Sequence, residues 1–189
     1  MKKCYMIFAM ISLLMSSVFG ATFRTEPWLT ETSISFLEEF FKKNPEAKVL
    51  EFGSGASTLW IAKRTPNLYS VEHSEKFYDL ISERLKSGEY HNVNYVLAKR
   101  PYYDQCDEFS DEFFDLIIVD GRNRKGCIVR SIPKLKSGGV LLLDNAERKY
   151  YHSVFSLMKD WEYVTTEQTC PDKFGFWYRG WKTDWWIKP

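Results

Sequence analysis

The run Val49-Leu50-Glu51-Phe52-Gly53-Ser54-Gly55-Ala56-Ser57-Thr58 joins an apolar stretch, an acid, two glycines spaced G-x-G and small hydroxyl residues. Such a turn lets backbone approach a bound nucleoside closely, because glycine supplies unusual dihedrals and has no side chain. A second acid, Glu72, closes the next apolar run about twenty residues on, where nucleoside-binding α/β folds hold a ribose. Asp120 and Asp144 end two further apolar runs, and Asn145 follows the second. Any one of these acids could simply favour a helix N-terminus, worth at most about 1 kcal/mol. Four of them at one edge of a sheet, beside a glycine turn, describe a polar site.

The elements that must position them alternate along the chain. Thr30 is placed to cap a helix whose Ile34, Leu37, Phe40 and Phe41 recur at helical spacing, ending at Asn44-Pro45. Strands are expected at 48–52, 68–72, 93–98, 113–120 and 140–144. The helices between them are expected at 57–64, 74–86 and 124–135, with a further one at 148–160. The apolar run 113–120 does not alternate, which suits a parallel strand covered on both faces. Aromatic and β-branched runs at 162–167 and 174–181 flank a Cys170-Pro171-Asp172 turn and read as a hairpin. The pattern predicts an α/β fold with a doubly wound, mostly parallel seven-stranded sheet ending in an antiparallel hairpin, and ligands beyond the carboxyl ends of its strands.

With 189 residues, 44% hydrophobic and 27% charged, the chain has the composition of one soluble domain. Met1-Lys2-Lys3, the apolar run 5–15 and the small residues before Ala21 read as a secretory signal peptide over 1–20, leaving a single domain at 21–189. That places the protein in a periplasm or outside the cell, without a stable membrane span once the signal is cleaved. An unused signal would leave it cytoplasmic or anchored by its N-terminus. The formal charge of +1 and the lack of a basic stripe argue against a nucleic-acid partner. Cys127 is expected to be buried as a small hydrophobe. Cys106 and Cys170 lie in loops, where an oxidising space would let them pair, but no metal-thiolate spacing is present. The tryptophans near the C-terminus are expected to pack the hairpin.

The motifs Glu51-Phe52-Gly53-Ser54-Gly55, Glu72, Asp120-Gly121 and Gly138-Gly139-Val140-Leu141-Leu142-Leu143-Asp144-Asn145 resemble the class I S-adenosylmethionine-dependent methyltransferases across roughly 30–181. The resemblance implies S-adenosyl-L-methionine as cofactor, with Gly53 and Gly55 admitting its amino-acid part and Ser54 in the same turn. Glu51 would hold the turn or the cofactor's ammonium, Glu72 would accept both ribose hydroxyls, and His73 would lie at the rim. Ser57 stands where the family has a third glycine, and its hydroxyl could bond a carboxylate. A nicotinamide dinucleotide would instead want glycine at Thr58. Near Ala98-Lys99 the adenine-side acid often seen in the family is missing.

Asp120 and Asp144-Asn145 are similar to the set that holds a divalent cation in catechol and caffeoyl-CoA type O-methyltransferases. The likeness implies Mg²⁺ on Asp120, Asp144 and Asn145, lowering the pKa of a substrate hydroxyl. Where those enzymes place a lysine three residues after the first aspartate, this chain has Asn123, which leaves Asp120, Asp144 or Lys125 as catalytic candidates. Arg122, Arg124 and Lys125 together could bind an anionic substrate. The implied activity is methyl transfer to a hydroxyl of a small molecule. The competing reading is an exported, non-catalytic binding protein on the same fold, since that cofactor is cytosolic.

Overall fold

The computed structural model describes residues 26–87, 90, 92–99, 101–170 and 178–189. The predicted signal at 1–20 and the Pro171-Asp172 turn lie outside the described residues. Along the chain run α1 (Glu31–Lys43), β1 (Lys48–Phe52), α2 (Ala56–Ala62), β2 (Asn67–Glu72), α3 (Glu75–Ser87) and β3 (Val93–Leu97). A 3-10 segment (Tyr102–Glu108), β4 (Phe114–Val119), α4 (Arg124–Ser131), β5 (Leu135–Asp144), a second long 3-10 segment (Lys149–Met158), β6 (Glu162–Cys170) and β7 (Tyr178–Ile187) follow.

The sheet has seven strands in the order β3-β2-β1-β4-β5-β7-β6. The first five are parallel, and β7 inserts antiparallel between β5 and β6. Alternate residues of the central strands feed two cores. Leu50, Phe52, Ile117, Val119, Leu141 and Leu143 face the side covered by α4 and the 3-10 segments. Val49, Leu116, Ile118 and Leu142 face Leu37, Phe41, Trp60 and Ile61 of α1 and α2. Both faces are therefore dry, which is why these strands read as unbroken apolar runs.

Register aligns the site. Phe52 pairs with Val71 and with Val119, and Val119 pairs with Leu143. The next residues, Gly53, Glu72, Asp120 and Asp144, therefore form one row at the carboxyl edge. Glu51 stands two residues deeper, opposite Ser70, so three of the four acids share the row.

Several boundaries differ from expectation. β5 starts at Leu135 rather than Val140 because Gly138 (φ +74°) and Gly139 carry an irregularity inside the strand. A Cβ at Gly139 would meet Lys136 O at 2.9 Å. α4 gives way after Ser131 to a short 3-10 turn containing Pro133, whose missing N–H cannot continue an α-helix. The segment 149–158 is 3-10 rather than α; it is rich in aromatic, β-branched and hydroxyl residues of low helix propensity. Thr30 precedes α1, but its hydroxyl bonds Ser33 and Thr166 rather than capping. β7 runs to Ile187, so Trp185 and Trp186 are buried strand residues, with Trp185 stacked 4.4 Å from Phe36. Cys106 and Cys127 are buried free thiols; Cys106 lies in the first 3-10 segment rather than in a loop, and the Cys170 side chain of the expected pair lies outside what is described. Among the described residues, no helix is long and apolar enough to cross a membrane.

Candidate active site

The glycine turn is held from below by Glu51. Its fully buried carboxylate accepts hydrogen bonds from Ser57 Oγ (2.5 Å), Thr58 Oγ1 (2.6 Å) and Ser70 Oγ (2.6 Å). Thr58 Oγ1 in turn accepts the Gly55 N–H at 3.0 Å. These bonds tie the first turn of α2 to β1 and β2. Burial raises the Glu51 pKa from its ordinary 4.5 to about 7, partly opposed by the three hydroxyls. Glu51 and Ser57 thus support the turn and do not line the cavity above it.

The two glycines do different things. Gly53 has φ +95°, and a Cβ there would stand 2.5 Å from Gly121 Cα, so the loops after β1 and β4 touch backbone to backbone. At Gly55 a Cβ would meet nothing within 4 Å, which leaves open space beside the turn.

Glu72 is 3% exposed and fully bonded. Its Oε2 accepts Ser54 N and Ser54 Oγ, both at 2.9 Å, and its Oε1 accepts the His73 and Ser74 N–H groups at 2.8 Å. Ser54 has a single hydroxyl proton, given to Glu72, so the Tyr95 hydroxyl 2.6 Å away donates to it. The His73 ring approaches Glu72 with Nδ1 at 2.9 Å but without an aligned hydrogen bond. It packs 5.4 Å from the Tyr102 ring.

Asp120 and Asp144 are joined by Arg124, at the start of α4. Its Nη2 donates to Asp120 Oδ1 (3.0 Å), and its Nη1 lies 3.5 Å from Asp144 Oδ2. Asp144 Oδ1 also accepts Trp181 Nε1 (2.8 Å) and Thr183 Oγ1 (3.1 Å), which bind the hairpin to β5. Burial raises the Asp120 carboxyl well above the usual range, and the neighbouring Asp144 charge adds to this against Arg124. Burial likewise raises Asp144, opposed by Arg124 and by the Trp181 bond.

The expected Mg²⁺ set does not fit this arrangement. Hard-cation ligands must converge at about 2 Å on one point, and a guanidinium stands there instead. Among the described residues, no group of three or more His, Cys, Asp or Glu side chains is placed to hold a metal.

A cavity of about 680 Å³ lies over the row, lined by Gly53, Ser54, Glu72, His73, Asp120, Arg124 and Asn145, with Phe77, Arg122, Arg148 and Tyr150 among its other walls. Asp120 keeps 29% of its side chain exposed. Gly55, Ser57 and Asp144 are not on this wall. Neither is Lys125, whose ammonium sits 4.5 Å from the Tyr150 ring centroid and faces a separate depression with Tyr103 and Val129. Sequence reasoning missed Arg124 as the link between the aspartates, Tyr95 behind Ser54, and Phe77, Arg148, Tyr150 and Tyr151 as cavity walls. The one available signal was the i,i+4 spacing of Asp120 and Arg124.

Residues 50–146 match a family model described as a methyltransferase domain. No curated protein is significantly similar to the chain in sequence. Among the solved structures that share its fold are the following three. A protein provisionally named an O-methyltransferase from Klebsiella pneumoniae has TM-score 0.68 and 16% identity, over 88% of this chain and 84% of its own. One provisionally named a caffeoyl-CoA O-methyltransferase from Staphylococcus aureus has TM-score 0.66 and 14% identity, over 86% of each. Precorrin-6y C5,15-methyltransferase from Geobacter metallireducens GS-15 has TM-score 0.59 and 18% identity, over 89% of this chain and 95% of its own.

Proposed function

The chain belongs to the methyltransferase domain family and is a class I S-adenosylmethionine-dependent methyltransferase, and we propose that it methylates a hydroxyl of a small molecule held against Asp120. The observation carrying this reading is the single row of Gly53, Glu72 and Asp120 on one cavity wall. A volume of about 680 Å³ suits a nucleoside cofactor with a modest acceptor. The near-neutral formal charge favours a small molecule over nucleic acid.

The residues fit the cofactor. Beside the cavity, Gly55 leaves open space along the turn for the cofactor's amino-acid part, and on its wall Glu72 offers a carboxylate to a diol. Its four bonds already use the lone-pair sites of a carboxylate. A diol would therefore compete with the Ser54 hydroxyl, which can turn its proton to the Tyr95 oxygen. When bound, S-adenosylmethionine supplies an electrophilic methyl group on a sulfonium that leaves as a neutral thioether.

The chain's own task is to place the acceptor and take its proton. Asp120 is the aspartate of the row that reaches the cavity. Its raised proton affinity makes its ionised form a stronger base than an ordinary carboxylate. Arg124 fixes one of its oxygens. Glu72→Ala is expected to weaken S-adenosylmethionine by about 1–3 kcal/mol, the cost of losing a bonded buried carboxylate. Unchanged affinity in a titration would place the cofactor elsewhere.

A further inference from the structure

A guanidinium carries five N–H donors, and every one on Arg124 meets a protein acceptor. Nε donates to Gly121 O at 2.9 Å. Nη2 donates to Asp120 O at 2.7 Å and to Asp120 Oδ1 at 3.0 Å. Nη1 donates to the Asp144 carbonyl and reaches Asp144 Oδ2 at 3.5 Å. All five acceptors belong to the strand-terminal residues Asp120, Gly121 and Asp144. Only 7% of the Arg124 side chain is exposed.

We propose that Arg124 is the resident cation of the acceptor side of this cavity, filling the space between the two aspartates so that no divalent ion binds there. The proposal rests on reading the cavity as the methyl-acceptor site. Its logic is geometric and electrostatic together. A divalent ion at this point would need Asp120 Oδ1 and Asp144 Oδ2, which face the guanidinium, and Asp144 Oδ1, which is spent on Trp181 and Thr183. It would also have to sit beside the positive charge of the guanidinium. Displacing the guanidinium would strand a buried charge without partners, at a cost no surface ion pair approaches. Arg124 thus supplies the fixed positive charge that keeps two neighbouring carboxylates together and holds Asp120 at the cavity wall, a positioning role.

Manganese(II) alone, titrated against the full chain and followed by the electron paramagnetic resonance of the free ion, tests this without cofactor or acceptor. Its outcome is therefore separate from whether the protein transfers methyl groups. The wild type is expected to leave the free-ion signal unchanged up to millimolar manganese. Arg124→Ala uncovers both carboxylates and is expected to bind manganese at least about tenfold more tightly. Arg124→Lys keeps a cation and is expected to match the wild type. Saturable wild-type binding that disappears in Asp120→Asn would overturn the proposal, as would a folded Arg124→Ala that binds no better than wild type. If Arg124→Ala does not fold, the wild-type and Asp120→Asn titrations still decide the matter.

Discussion

Gly53 and Gly55 are two residues apart and should respond oppositely to the same substitution. At Gly53 φ is +95°, and an added Cβ would lie 2.5 Å from Gly121 Cα and 2.6 Å from Gly121 N. The left-handed backbone costs an L-residue about 1–2 kcal/mol. The clash is with backbone that cannot rotate away, and overpacking of that kind adds about 1–3 kcal/mol. Gly53→Ala should therefore lose about 2–5 kcal/mol, a fall in Tm on the order of 4–20 °C for a domain of this size. At Gly55 the backbone is extended and nothing lies within 4 Å of the new methyl group. A stiffer unfolded chain favours alanine by about 0.4–1 kcal/mol, and the weaker N-cap takes back about the same. Gly55→Ala should melt within a few degrees of wild type. Gly55 is not on the cavity wall, but its methyl group would enter the open space beside the turn, into which the cofactor's amino-acid part is proposed to extend, so S-adenosylmethionine affinity should fall by about tenfold or more. Thermal unfolding paired with calorimetric titration separates the two effects. A Gly55→Ala protein that binds as tightly as wild type would refute the placement of the cofactor. A Gly53→Ala protein of undiminished stability would refute the backbone contact.

The buried Glu51 carboxyl, raised from 4.5 to about 7, holds its proton more tightly folded than unfolded. Its contribution to stability is complete below pH about 4.5, falls as pH rises to about 7 and is flat above that, a change on the order of a few kcal/mol. Glu51→Gln should remove that falling arm from a series of denaturant melts, and an unchanged arm would assign it to another group. Asp120→Asn should lower kcat by about 10²–10⁴ while leaving cofactor affinity within a few-fold. In the wild type, activity should rise with pH through the elevated Asp120 pKa and then level off; wild-type turnover by Asp120→Asn would remove it as the base.

The parallel strands and their terminal acids were legible because each is a local pattern, an apolar run closed by one carboxylate. Glu72 and Asp120 follow directly from that pattern. What lies between the acids is a tertiary matter. The sequence placed Asp120, Asp144 and Asn145 at adjacent strand ends, where their types alone suit a cation. It could not show that α4 turns Arg124 inward to reach both aspartates. Nor could it show that β7 inserts beside β5 and spends Asp144 on Trp181 and Thr183. Glu51 teaches a similar lesson. Its place in the motif was evident, but its burial two residues below the row depends on strand register, and Ser70, a donor from β2, carries no signal in the motif. Lys125 was chosen by chain proximity to Asp120; one position along a helix was enough to turn it to another face.

If the proposed function holds, S-adenosylmethionine binds over the row formed by Gly53, Glu72 and Asp120. Isothermal titration of the wild-type chain with S-adenosylmethionine decides whether it does. Saturable binding of one cofactor per chain is expected, unaffected by chelator and weakened by Glu72→Ala. No heat of binding at millimolar cofactor, from protein shown to be folded, would contradict it.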